Sequence, residues 1–246
     1  MNKRFNNSFF KKKYIYFLLI IITIILLIFF LNSIYVIEKY QENSYNNYHI
    51  ISAKYNKNVN FLNEIAINKT VIQKNEVVPN KANEALSYLF YIINNYENLP
   101  ENMIFIHDEN ESWHHTGKIT EKIYEWIKEY ENQGSTYYEF NNMEITKDLD
   151  LYKNNTVFKN FWDTIMKDNI GDYETVQPEK GKCCAQFIVS KNNILLHSKN
   201  FYENYYNWLI TNTNGEGNGD SNDLNSGHKT GRYAEYTWRY IFNSKF

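Results

Sequence analysis

Between Tyr14 and Leu31 the chain reads YIYFLLIIITIILLIFFL, with Thr23 its one clearly polar side chain. Nothing else in the sequence restricts the fold so strongly. At about 1.5 Å rise per residue, roughly 20–24 helical residues cross a hydrocarbon core about 30 Å thick. Apolar character resumes at residues 34–37 after Asn32 and Ser33. A helix in a soluble core keeps a solvent-facing side, and this run has none. Residues 14–37 are therefore expected to cross a lipid bilayer once.

The flanks orient the span. Lys3, Arg4, Lys11, Lys12 and Lys13 precede it, whereas Lys39 stands nearly alone after it. The excess of basic residues keeps residues 1–13 as a cytosolic tail and sends the rest to the lumenal or extracellular side. That side belongs to the secretory pathway or to a virion membrane derived from it. A cleaved signal peptide would carry a shorter apolar region and a small-residue cleavage site, which Asn32-Ser33-Ile34-Tyr35 does not supply. The span is expected to stay as a signal-anchor.

Beyond the span the chain is long enough for one domain. Of 246 residues, 43% are hydrophobic and 22% charged, as in a globular chain, and the net charge of −2 gives no reason to expect nucleic acid as a partner. Residues 38–48 lack periodicity and read as a stem, leaving 49–246 as the domain. Residues 49–55 and 69–73 are rich in β-branched side chains and read as strands. Leu86, Leu89, Phe90, Ile93 and Tyr96 fall on one helical face, which Leu99-Pro100 ends. Met103 to Ile106 is wholly apolar and reads as a central strand buried on both faces. Amphipathic helices are expected around Ile119–Tyr130, Val157–Ile165 and Phe201–Leu209, a strand at 185–190 and a closing helix at 233–242. Residues 214–228 are rich in Gly, Asn and Asp and read as a flexible loop. Alternating strands and helices predict a layered α/β domain.

The segment His107-Asp108-Glu109-Asn110-Glu111-Ser112-Trp113-His114-His115 comes directly after the buried strand. Ligands in open α/β sheets bind beyond the carboxyl ends of the strands. Asp108 and Glu109 are candidate ligands for a divalent cation, manganese or magnesium, and His107 and Trp113 candidate substrate contacts. Zinc on His107 and His114 is a weaker reading, and a solvated acidic turn the plain one. Cys183 and Cys184 are adjacent, a spacing that rarely meets disulfide geometry, and are expected to be small buried hydrophobes.

Several blocks carry a resemblance: Val78-Pro-Asn-Lys-Ala-Asn-Glu-Ala-Leu-Ser-Tyr-Leu, Ile92 to Glu101, Phe105-Ile-His, Cys184-Ala-Gln-Phe-Ile-Val-Ser, and Gly231-Arg-Tyr-Ala-Glu-Tyr-Thr-Trp-Arg-Tyr-Ile-Phe. Over residues 49–243 the chain resembles the domain-of-unknown-function family numbered 3431, whose layout is similar to sugar transferases of the nucleotide-diphosphosugar fold. The resemblance implies a single domain on a mixed, mostly parallel sheet, with residues 50–55 opening the nucleotide site and 103–106 with Asp108 ending in metal-binding carboxylates. The family's helix start is commonly Asn-x-Gly-Arg-Glu. This chain keeps Asn80 and Glu84 but carries Ala82 and Asn83 where Gly and Arg are usual, and the strict Asp-x-Asp spacing is missing.

These readings converge on a membrane-anchored, glycosyltransferase-like protein that takes a nucleotide-sugar and a glycan acceptor. Asp108 and Glu109 would hold the cation on the donor diphosphate, and Asn80, Glu84 and Arg232 would position sugar or phosphates. Gln186 would be a polar contact and Glu235 the base, with Glu84 beside it as the second catalytic carboxylate. A competing reading is a non-catalytic membrane or virion surface protein that keeps a decayed enzyme fold. Glycosylation acceptor triplets begin at Asn68, Asn110 and Asn154. Asn68 and Asn154 are the expected glycan carriers, since a glycan on Asn110 would obstruct the candidate metal site.

Overall fold

The computed structural model describes residues 15–33, 45–113, 115–177, 180–216 and 222–243. The basic tail, most of the stem, His114 and residues 217–221 of the expected loop lie outside them. The chain divides into two units, Met1–Asn46 and Asn47–Phe246.

In the first unit, α1 (Ile15–Ser33) is long and apolar enough to cross a membrane. Two of its polar side chains, Thr23 and Ser33, are satisfied by the helix itself. Thr23 Oγ1 donates to the Ile20 carbonyl and Ser33 Oγ to that of Phe29, both at 2.8 Å, which lets a hydroxyl sit in an apolar surrounding.

The second unit is built on a five-stranded sheet of order β2-β1-β3-β7-β4, with β1 at Tyr48–Lys54, β2 at Asn68–Gln73, β3 at Asn102–Ile106, β4 at Tyr137–Glu139 and β7 at Phe187–Ser190. β1 pairs parallel with both β2 and β3, and β7 runs antiparallel to both β3 and β4. Four of the five strands thus point one way. A short antiparallel pair of strands, β5 (Glu144–Thr146) and β6 (Lys180–Lys182), forms a second sheet.

Alternation along the strands divides the core into two layers. Ile51, Ala53, Ile72, Met103, Phe105, Phe187 and Val189 share one face and one apolar cluster with α2 (Ala85–Asn95), α8 (Lys199–Asn212) and α9 (Gly227–Phe242). The alternate residues Ile50, Ile104, Ile106 and Ile188 are equally buried. On their side Tyr48 lies edge-on to Tyr130 of α3 (Ile119–Asn132), whose hydroxyl donates to Asn102. β3 is therefore covered on both faces, as its unbroken apolar run predicts.

Between β5 and β6 run α4 (Leu149–Asn154), α5 (Thr156–Phe161), a π-helical turn at Trp162–Met166 and α6 (Lys167–Ile170). α7 (Lys191–Ile194) continues directly from β7.

Three expectations change. The closing helix begins at Gly227, six residues before the expected Tyr233, because Ser226 Oγ caps it by accepting from Lys229 N. Arg232 and Glu235 consequently sit inside α9 and not at its opening. On α2 the buried set is rotated: Tyr88, Tyr91 and Ile92 are buried, while Phe90 and Ile93 are half-buried. Cys183 and Cys184 are buried as expected but are joined in a disulfide. The peptide between them is cis.

Candidate functional site

The carboxyl ends of β1, β2 and β3 deliver Tyr55, Lys74 and His107 to one cleft of about 460 Å³. A parallel sheet leaves such a crevice because its connections return behind the strands. The wall opposite comes from the turn before α2 (Asn80, Asn83, Glu84) and from one face of α9 (His228, Arg232, Glu235), with Trp113 at the rim, 66% exposed.

The turn before α2 has unusual backbone. Ala82 and Asn83 both take φ of 49°, the left-handed region that costs an L-residue roughly 1–2 kcal/mol. This reversal starts α2 just after Glu84 and sets Asn83 against α9, where Asn83 Nδ2 donates to Glu235 Oε1 at 3.3 Å. The close approach requires Gly231, since a methyl group there would stand 2.5 Å from Asn83 Nδ2.

Burial dominates the electrostatics. Glu235 is 8% exposed, and desolvation raises its pKa to about 8. The nearby Glu84 carboxylate pushes the same way, while Arg232 and the Asn83 hydrogen bond oppose it. At neutral pH the Glu84–Glu235 pair therefore holds a proton. Desolvation lowers His107 to about 4, partly opposed by Asp108 and reinforced by Lys74, so its imidazole is neutral. Lys74 is itself buried and pushed down by desolvation, against the pull of Glu84 and Asp108.

Of the residues singled out by sequence, Asn80, Glu84, His107, Trp113, Arg232 and Glu235 meet in this cleft. Gln186 does not line it. It is fully buried, with Oε1 accepting from His107 N at 3.4 Å, so it supports the backbone behind the site.

Asp108 and Glu109 face elsewhere. Asp108 Oδ2 accepts from the backbone of Tyr55 (2.9 Å) and Lys57 (3.3 Å), and Glu109 pairs with Lys57 at 3.2 Å. A hard cation needs several converging oxygens. These two residues do not supply them, because one carboxylate clamps a loop and the other meets an ammonium. One tight group of ligand-type atoms occurs among the described residues, formed by Cys183, Cys184 and Glu235. Its sulfurs are bonded to each other and are not thiolate ligands.

Sequence reasoning missed Tyr55, Lys74, Asn83 and His228. The first two stand immediately after strands, and position alone could have flagged them.

A family model described as "Protein of unknown function (DUF3431)" matches residues 36–246. The chain belongs to that family. No curated protein and no solved structure matches it. The DUF3431 match takes in the whole sheet and the whole cleft. In this DUF3431 chain Ala82 takes a left-handed φ that glycine would adopt without strain. Asn83 sets a neutral amide against Glu235.

Proposed function

We propose that this DUF3431 protein is a membrane-anchored glycosyltransferase whose domain lies on the non-cytosolic side and moves a sugar from a nucleotide-sugar to a hydroxyl acceptor. The observation that carries this reading is the Glu84–Glu235 pair sharing one cleft with Lys74 and Arg232 at the carboxyl ends of the parallel strands. Carboxylates and cations lining one cleft suit a ligand that is both hydroxyl-rich and anionic.

In the proposed reaction Glu235, once it has given up the proton it shares with Glu84, accepts the acceptor hydroxyl's proton as that oxygen bonds to the anomeric carbon. The bond from this carbon to the leaving phosphate oxygen breaks, and the diphosphate carries away the electron pair. Lys74 and Arg232 stabilise the charge that develops on it. Trp113 offers a ring face to a sugar at the rim. A divalent cation would add positive charge at the diphosphate, but Asp108 and Glu109 do not converge to hold one.

Calorimetric titration of the full chain in detergent micelles with a panel of nucleotide-sugars, with and without manganese, tests the reading. At least one donor should bind. Glu235→Gln should keep that binding and lose about 10²–10⁴-fold in turnover, the usual worth of a general base. No heat from any donor in either condition overturns the reading and leaves a non-catalytic surface protein.

A further inference from the structure

Helix α9 divides the cleft at the strand ends from a second one. His228, Arg232 and Glu235 face the first, while Lys229, Arg232, Tyr236 and Arg239 line the second at i, i+3, i+7 and i+10. Arg232 serves both. The second cleft measures about 320 Å³ and is closed by β5 and the segment around α4.

Its charge is one-sided. Lys229, Arg232 and Arg239 bring three cations against one carboxylate, Asp148, whose Oδ1 already accepts from Leu151 N at 2.8 Å to cap α4. None of the three cations forms an ion pair with a described residue. Arg239 stands out because it is only 3% exposed. Its Nη1 donates to the Ile145 carbonyl at 3.0 Å and its Nη2 to the Tyr240 hydroxyl at 2.8 Å, while Nε has no partner. A buried guanidinium held by neutral acceptors is costly unless an anion completes it.

Glu139 feels the charge of Arg239 but does not fill that role. Burial raises its pKa to about 7, and the Tyr137 hydroxyl donates to it. Gly181 in β6 makes the room, since a methyl group there would stand 3.2 Å from Arg239 Cδ and Nη1. Tyr173, Tyr233 and Tyr236 supply aromatic surface between the cations. The Tyr233 hydroxyl is engaged by Asn155 and the Leu224 carbonyl, so it is the ring that Tyr233 offers.

We propose that the second cleft binds a small sugar through a phosphate group held by Arg239, Arg232 and Lys229, and that this sugar phosphate is the acceptor. Three unpaired cations with two guanidinium forks match a phosphate dianion better than a single carboxylate. Aromatic ring faces suit the apolar side of a pyranose. The acceptor role rests on the sugar-transfer reading, whereas phosphate binding stands on the cations alone. Arg232 touches both clefts and Glu235 lies one turn further along α9, so an acceptor hydroxyl reaching past Arg232 approaches the base.

The experiment is calorimetric titration of the full chain in detergent micelles with glucose 6-phosphate, glucose and inorganic phosphate. Glucose 6-phosphate should bind at least about tenfold more tightly than either glucose or inorganic phosphate, since charge-assisted bonds are lost in one and ring contacts in the other. Lys229→Gln, at a half-exposed position, and Arg239→Lys, which keeps the charge but not the fork, should each weaken it by about tenfold. Equal affinity for glucose and its phosphate, or full affinity in both variants, overturns the proposal. Inorganic phosphate binding as tightly as the sugar phosphate also overturns it, as an adventitious ion only. Nucleotide-sugar binding without sugar-phosphate binding defeats the second cleft alone, and the reverse defeats the donor reading alone.

Discussion

Glu235 is an acid whose burial has consequences for stability as well as chemistry. Its folded pKa of about 8 lies above the ordinary 4.5, so the folded state binds more protons than the unfolded chain between those values. Stability contributed by this group is complete below about pH 4.5 and is lost as pH rises towards 8. Glu235→Gln removes that loss. The melting temperature of the variant should exceed that of the wild type by a margin that widens from pH 5 to pH 8, reaching at least about 2 °C, the shift of roughly 1 kcal/mol in a domain of this size. A constant difference across that range would show that Glu235 keeps an ordinary pKa. The neighbouring Gly231 provides a second test. An alanine there would stand 2.5 Å from Asn83 Nδ2, so Asn83 must leave Glu235. Gly231→Ala should cost about 1–3 kcal/mol by overpacking. It should also raise the apparent pKa of any activity governed by Glu235, because the lost hydrogen bond had favoured the carboxylate.

At the scale of elements, α9 shapes the site, and its start depends on a buried cap. Ser226 is 1% exposed and its Oγ accepts from Lys229 N. Ser226→Ala should destabilise the domain by about 1 kcal/mol. Thermal melts should show the drop together with weaker ligand binding, since His228 and Lys229 occupy the first turn. That start was hard to read in the sequence: Gly227 to Gly231 is polar and holds two glycines, so periodicity appears only from Tyr233. The three-residue strands β4, β5 and β6 escaped for a related reason, being too short to show a period. By contrast, every buried residue of α3 stands in the sequence at helical spacing, and β3 announces itself as an unbroken apolar run. The site was legible in the same uneven way. Residues in motif-like blocks, such as Asn80, Glu84, Arg232 and Glu235, do meet. Asp108, Glu109 and Gln186 turn elsewhere, because the direction of a side chain just past a strand is decided by register and by which backbone groups need a partner. Asp108 is claimed by the orphan amides of Tyr55 and Lys57, a demand that no local pattern reveals.

For the whole molecule, the side of the membrane on which the domain lies decides which donors and acceptors it can meet, and the acceptor triplets can report it. Asn68, at the amino end of the edge strand β2, and Asn154, at the end of α4, are both exposed. Asn110 differs: its Oδ1 accepts from Thr120 N at 3.1 Å and its Nδ2 donates to Thr120 Oγ1 at 3.3 Å, at the start of α3. A glycan on that amide would break the contact and crowd the segment between His107 and Trp113. Expressed in cells with a secretory pathway, the full chain should shift in mobility on endoglycosidase treatment by two glycans. Asn68→Gln and Asn154→Gln should each remove one, and Asn110→Gln none. The protein should also stay with the membrane pellet after alkaline extraction, as a helix of the length of α1 requires. No glycan at any acceptor would place the domain in the cytosol, against the charge of residues 1–13. A glycan at Asn110 would instead leave the orientation intact and count against a working cleft, because an enzyme cannot carry a permanent polymer at the mouth of its own site.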